Sequence, residues 1–410
     1  MNWRDVDWKA LVRLRAAYLS GTAGERDYWQ SESDLASYDQ TFAQRIGWKW
    51  DYVLEELKRR GWSPPKGRLF DWGCGSGIAG RAFLDHFEAG GVPALWLWDR
   101  SALAMRFAER KARERFPNLI VHAHKRIDEM EAPARSPREQ TSNIQHPTSN
   151  IEPPASAVSS QFNVQSSMSD VRCSKPSFRE PRVRSRRGHE ADQVKSEIGA
   201  HLLTSAAAVH GPRAHSSRLE APLEHDPIGT LLLSHVLTEL PAAELDRLLT
   251  LAVSATAILW IEPGTHEASR ALIAVRERLR ASFQVVAPCT HQTICGMLAP
   301  ESAGHWCHHF APSPPEVFTD GQWARFANLA GLDLRSLPLS FLVLDKRPPP
   351  ALPPGTVRVI GNPRVYKAEA LLLACDAGGV RERHLAKRDL PDEFRQLKKG
   401  EFRPLWVWQC

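Results

Sequence analysis

Three cysteines, Cys289, Cys295 and Cys307, fall within nineteen residues, in Ala-Pro-Cys-Thr-His-Gln-Thr-Ile-Cys and His-Trp-Cys-His-His. Thiolates are soft ligands, and three of them crowded into an irregular segment suggest soft-metal ligation. The spacing, five residues and then eleven between successive cysteines, is neither that of a zinc ribbon nor that of a bacterial ferredoxin. Zinc held by three thiolates and a histidine, His291 or His308, is one completion of the site; unligated buried cysteines are the other reading. Cys375 stands alone at the end of a strand-like run, Cys74 lies in a glycine loop, Cys173 in a polar stretch and Cys410 at the terminus. A bound metal would supply the cohesion that this short irregular segment lacks.

The second constellation is Asp71-x-Gly73-x-Gly75-x-Gly77, which follows the strand-like Arg68-Leu69-Phe70 and precedes a helical pattern. Glycines let backbone approach a ligand closely, and ligands of open α/β sheets bind at the carboxyl ends of the strands. Gly75-x-Gly77-x-x-Gly80 also matches a dinucleotide fingerprint, so the acids must discriminate. A pyrophosphate seeks the free N–H groups of a helix start, beside which Asp71 would be repulsive. S-adenosylmethionine carries a cationic sulfonium and an amino group, which Asp71 suits. Asp99 ends the next apolar run, Ala94 to Trp98, and is placed to accept from ribose hydroxyls; a helix cap is its bland alternative. Ser234, at the end of a later strand, opens Ser-His-Val-Leu-Thr-Glu-Leu, which resembles the segment that flanks adenine and methyl group in class I methyltransferases. His235 reads as a structural histidine rather than a base. The segment holds neither the Asn/Asp-Pro-Pro-aromatic box of amino-methylating enzymes nor the Pro-Cys of pyrimidine-C5 enzymes.

These residues need a scaffold. Apolar runs at Arg68–Asp71, Ala94–Trp98, Leu119–His122, Thr230–Ser234 and Ala257–Ile261 alternate with helical periodicity, which predicts a parallel sheet covered on both faces. Residues 1–64 read as a helical, aromatic-rich region closed by Gly61 and Ser63-Pro64-Pro65. The domain proper is expected over 65–126 and 227–347, with its cysteine-rich segment at 287–309. Between 127 and 226 the pattern collapses into Ser, Pro, Gln and Asn with only Phe162 and Phe178 as aromatics, which predicts a disordered insertion. After a proline spacer, residues 355–410 read as a β-rich extension with eleven basic and seven acidic residues.

Composition narrows the class further. The chain has 410 residues, a net charge of +6 and a pI near 9.0. The excess is local: Val171 to Arg187 holds seven basic residues and one acid, and the rest carries 46 of each. Global charge is therefore weak support for a nucleic-acid surface. No apolar run is long enough to span a bilayer, the first residues show no signal core, and seven cysteines form no disulfide framework, so a reducing cytoplasm is the expectation.

With these motifs in view, the chain resembles the methyltransferase-like proteins associated with the mitochondrial small ribosomal subunit and their bacterial relatives, the family of methyltransferase-like protein seventeen. The resemblance is carried by Phe70-Asp71-Trp72-Gly73-Cys74-Gly75-Ser76-Gly77, Ser234–Leu240, Trp260–Thr265, the Ala287–His309 block with Trp306, and the tail from Arg358 to Cys375. It implies an α/β, class I methyltransferase-like Rossmann sheet with an N-terminal helical region and a small β-rich C-terminal extension. It also implies S-adenosylmethionine near Asp71, Gly73, Gly75, Gly77, Asp99 and Ser234, and a 4Fe-4S cluster on Cys289, Cys295, Cys307 and Cys375, with zinc as the alternative metal. The family's partners imply the small ribosomal subunit and its rRNA, no membrane, and a monomer apart from the ribosome. A binding role in subunit assembly and translation is the first functional expectation. An active rRNA methyltransferase is the second, and a nicotinamide-dependent oxidoreductase, disfavoured by Asp71, the third.

Overall fold

The computed structural model describes residues 2–20, 29–123, 227–400 and 403–407. Contacts divide the chain into one compact unit, Met1–Arg135 with Pro222–Cys410, and a second, Ser136–Ala221. The second unit, with most of the expected insertion, lies outside the described residues, as do the insertion's other residues, Cys173 and Cys410.

The amino-terminal region forms α1 (Trp8–Leu19), α2 (Glu32–Asp39) and α3 (Phe42–Arg60). Asp7 caps α1 by accepting from the N–H groups of Lys9 and Ala10, and Ser31 caps α2. In α3 the helical period places Trp50, Val53, Leu54 and Leu57 on one wholly buried stripe. Each such side chain contributes about 1.5–3 kcal/mol by leaving water.

The central layer follows as β1 (Arg68–Trp72), α4 (Ile78–Phe87), β2 (Ala94–Trp98), α5 (Ala102–Arg115), β3 (Ile120–Ala123), β4 (Ile228–Ser234), α6 (Ala242–Ser254), β5 (Ala257–Pro263), α7 (His266–Leu279) and β6 (Gln284–Ala287). After the cysteine segment come β7 (His309–Ala311), the short α8 (Glu316–Thr319), α9 (Gly321–Ala330) and β8 (Leu337–Asp345). The sheet order is β3-β2-β1-β4-β5-β8-β6, with β7 pairing on β8. Alternation along the strands builds two cores. Leu69, Leu95, Leu97, Leu232 and Leu259 meet α3, α4 and α5, whereas Phe70, Leu231, Leu233, Ile258 and Trp260 meet α6 and α7.

The five strands read from the sequence, β1 to β5, are mutually parallel as expected, and antiparallel strands complete the sheet. β8 runs antiparallel to both β5 and β6. Its apolar run is buried on both faces, and such a run reads the same in either direction; only the chain's return through α9 sets its polarity. Beyond the spacer, β9 (Thr356–Val365), β10 (Glu369–Asp376), β11 (Gly379–Ala386), α10 (Pro391–Lys398) and β12 (Leu405–Val407) form an antiparallel sheet of order β11-β10-β9-β12. Among the described residues no helix is long and apolar enough to cross a membrane.

Candidate functional site

β1 lies between β2 and β4, so chain order reverses there and a crevice opens at the strand ends. The glycine loop sits in it. The N–H groups of Gly73 and Cys74 both donate to the Trp98 carbonyl, at 2.8 and 3.0 Å, and Gly77 N–H donates to the Cys74 carbonyl at 2.7 Å. Gly73 has φ +70, and a Cβ on it would stand 2.7 Å from Val236 Cγ1. Loop and post-β4 segment thus touch through a position that admits only glycine.

Asp71 is fully buried beneath the loop. Its Oδ2 accepts from Gly80 N–H at 2.9 Å, pinning the first turn of α4, while Oδ1 is buried without a partner among the described residues. Burial pushes this carboxyl up to about 7, the Gly80 bond and Arg81 opposing. Asp99 accepts from Gly75 N–H at 2.8 Å and from Ser101 N–H at 2.9 Å. It is not the cap of α5: Ser101 is, accepting from Ala104 N–H. Asp71, Gly73, Gly75, Gly77 and Asp99 are therefore brought together at one strand-end crevice.

Ser234 joins them from β4. Its Oγ accepts from Trp50 Nε1 of α3 at 3.0 Å. His235 holds φ +56, donates its N–H to the Ile261 carbonyl at 2.8 Å, and buries Nε2 without a partner among the described residues. Burial, with Lys49 and Arg45 nearby, keeps its imidazole neutral. The segment that follows is held by Glu262, whose Oε1 accepts from Val236 N–H at 3.1 Å, Leu237 N–H at 2.9 Å and Trp260 Nε1 at 2.7 Å. Burial pushes Glu262 up to about 7 as well. Spacing does not single out Trp50, Glu262 or Lys49, because none lies in a chemical motif. The Trp-Ile-Glu-Pro-Gly run at the end of β5 is the available signal for Glu262.

The second site lies where the cysteine segment meets the tail sheet. Cys295 and Cys375 share one apolar cluster with Ile273, Met297 and Ile360, and Cys307 packs on it. Cys289, half-exposed, lies within electrostatic reach of Cys295, Cys307 and Cys375. All four cysteines thus converge, the distal one from β10. Contact is close: a Cβ on Gly296 would stand 2.8 Å from the backbone of Gly379. Burial pushes the Cys295 thiol up to about 11 and raises Cys307 and Cys375 strongly, each thiol opposing ionisation of its neighbours. His291 Nε2 lies 3.6 Å from Cys375 Sγ. His308 instead stacks on Trp306 at 4.6 Å, with Nδ1 3.0 Å from the Trp306 carbonyl. Among the described residues, no group of three or more His, Cys, Asp or Glu is arranged to hold a single metal ion. A groove of about 680 Å³, bounded by Pro349, Pro350, Pro353, Pro354 and Arg381, opens beside Cys289.

Strand order, glycine crevice and acid positions together define a class I methyltransferase-like protein carrying an added antiparallel sheet. The chain belongs to the family described as mitochondrial small ribosomal subunit Rsm22, which matches residues 180–406. That stretch contains Ser234 and all four converging cysteines and begins after the glycine loop. No curated protein matches the chain by sequence. Solved structures similar to it include magnesium protoporphyrin IX methyltransferase of Synechocystis PCC 6803 with bound SAM, at 10% identity and TM-score 0.33, covering 83% of this chain and 98% of that one. A protein of Pyrococcus horikoshii described as a candidate RNA methyltransferase matches at 8% identity and TM-score 0.30, over 78% and 84% of the two chains. A Thermoplasma acidophilum protein matches at 9% identity and TM-score 0.28, over 72% and 86%.

Proposed function

We propose that this chain binds S-adenosylmethionine in the β1/β4 crevice, carries a 4Fe-4S cluster on Cys289, Cys295, Cys307 and Cys375, and serves the small ribosomal subunit in assembly or translation through rRNA. The observation that carries this reading is the arrival of Cys375, from a separate sheet, in the pocket of the other three thiols. Four thiols suit a soft centre. A single ion needs ligand atoms within about 4 Å of one another, given Zn–S bonds of ~2.3 Å. His291, whose Nε2 lies 3.6 Å from Cys375 Sγ, is the histidine that zinc would use as the alternative metal. When bound, a cluster links the tail sheet to the core and supplies the folding energy of a metal site. In the crevice, the buried Asp71 and the Asp99 carboxylate suit a cationic, phosphate-free cofactor. The antiparallel β8 departs from the dinucleotide fold, whose order 3-2-1-4-5-6 is parallel throughout, which disfavours a nicotinamide reading.

Anaerobic purification with iron and sulfide analysis tests the cluster: roughly four of each per chain and brown colour are expected, with colour lost in Cys375→Ser. Colourless wild-type protein without sulfide defeats the cluster. Equilibrium dialysis with labelled S-adenosylmethionine tests the crevice, with binding lost in Asp71→Ala. A second reading, methyl transfer to rRNA, is favoured by Lys49, which is buried on α3 with no hydrogen-bond or ion-pair partner among the described residues and lowered by burial to about 7. An uncharged amine near His235 could hold a proton-bearing acceptor. Stoichiometric methyl incorporation into immature small subunits, lost in Lys49→Met, would establish it.

A further inference from the structure

Around the thiols the buried charges do not balance. Glu56 of α3, 1% exposed, serves two buried guanidiniums. Its Oε1 accepts from Arg60 Nε at 3.0 Å and from Arg358 Nη1 at 2.6 Å. Arg60 is otherwise satisfied: it donates to the carbonyls of Val286, Pro288 and Cys289 at 2.6, 2.8 and 3.1 Å. Arg358 is not. It is 1% exposed, and its Nε and Nη2 are buried without partners among the described residues. Such a cation is costly to bury unless an anion completes it.

The surroundings say where that anion must be. Arg358 on β9 stands directly opposite Cys375 on β10, and paired residues of antiparallel strands share a face. Its guanidinium lies 5.3 Å from the Phe341 ring centre; that ring is 5.2 Å from His309, whose Nε2 is 3.7 Å from Cys307 Sγ. Arg276 of α7 repeats the pattern from the opposite side. It is 2% exposed, pairs with Glu277, donates to the Thr293 carbonyl at 2.8 Å, lies within electrostatic reach of Cys289 and Cys295, and buries Nε without a partner among the described residues. Glu56 Oε2 is a nearby carboxylate oxygen left without a partner among the described residues, but Glu56 already serves two guanidiniums; four metal-bound thiolates would offer these donors both further charge and sulfur acceptors.

We propose that Arg358 and Arg276 are positioning residues of the sulfur centre, one from the tail sheet and one from α7, donating N–H···S bonds to its thiolates and compensating their charge. This rests on the metal-centre reading above. Outer partners of this kind orient ligands and tune a metal site, and their loss weakens metal binding by roughly 10–100-fold. They also make the site selective for an anionic centre. Arg358 further joins that centre to α3, through Glu56.

The test uses the full chain, purified anaerobically, as wild type, Arg358→Met, Arg358→Lys and Arg276→Met. Metal released to a chelator is followed with time, and the reduction potential is measured on the iron-loaded forms. Release about tenfold faster in both Met variants is expected. The potential should fall in Arg358→Met, because removing a nearby cation and sulfur donors favours the oxidised state, and Arg358→Lys should lie between. Should Arg358→Met not fold, Arg358→Lys and Arg276→Met still decide, since a point charge cannot reproduce the planar fork. Metal-loaded wild type with variants that release at its rate overturns the proposal and leaves the centre standing. Wild type without metal overturns both.

Discussion

Single residues here are set by what burial does to charge. Glu262 and Asp71 are both carboxyls lifted to about 7 in the folded chain, from ordinary values of 4.5 and 3.8. A raised carboxyl pKa means that the native state binds a proton the unfolded chain has released. The contribution is full below the unfolded value and is lost as pH rises through about 7. For Glu262 the loss is ~3 kcal/mol between pH 4.5 and pH 8, since each tenfold difference in proton affinity between folded and unfolded chain is worth ~1.4 kcal/mol. Urea midpoints of the ligand-free protein should therefore fall across that range. In Glu262→Gln the retained Oε1 can still accept from Val236, Leu237 and Trp260, and the new amide takes the place of the unpartnered Oε2. That variant should be more stable than wild type at pH 8, with a flatter pH profile. An unchanged slope would show that Glu262 stays ionised in the fold.

At the scale of elements, the crevice is held by α3 and by the turn after β4 rather than by the glycine loop alone. Trp50→Phe keeps the buried ring but removes the bond to Ser234, a loss of about 1 kcal/mol. Dialysis should show S-adenosylmethionine bound more weakly by the folded fraction, beside a stability loss of at least about 1 kcal/mol; equal affinity would mean that Ser234 needs no tether. Gly73→Ala acts more severely, because it combines φ +70 with the 2.7 Å approach to Val236. Cofactor binding should be lost while circular dichroism stays native. Leu57→Ala, wholly buried on the far turns of α3, should instead cost about 2–5 kcal/mol of stability by leaving a cavity, with cofactor affinity unaltered in the folded fraction.

For the whole molecule the question is what joins the tail sheet to the core. Protein contacts already join them: Ile360 and Cys375 pack with Ile273, Cys295 and Met297, Gly361 N–H donates to the His308 carbonyl at 2.8 Å, Gly296 lies on the Gly379 backbone, and Arg358 reaches Glu56. If a bound centre ties Cys375 of the tail sheet to the three cysteines of the core, removing it loosens the junction. Chelator treatment should speed cleavage by a broad-specificity protease between Lys346 and Gly355. Cys375→Ser should be cut at that faster rate with or without chelator. Gly296→Ala should give the same loosening by steric means, since neither backbone can yield cheaply.

Much of this is legible in the chain. Strands such as Ala94–Trp98 announce themselves because an apolar run flanked by helical periodicity has few other homes, and Asp71 with its glycines because a strand-to-helix turn tolerates few other residues. The cysteine cluster declares itself by residue type alone. What the sequence does not convey is direction and distance. β8 reads the same upstream or downstream, so only tertiary pairing reveals its antiparallel course. Cys375, 68 residues beyond Cys307, comes near its partners through the placement of a whole sheet. Arg358, Arg276, Trp50 and Glu262 matter because of what they face once buried, and an uncompensated charge or an unpartnered N–H exists only when water has been excluded from around it.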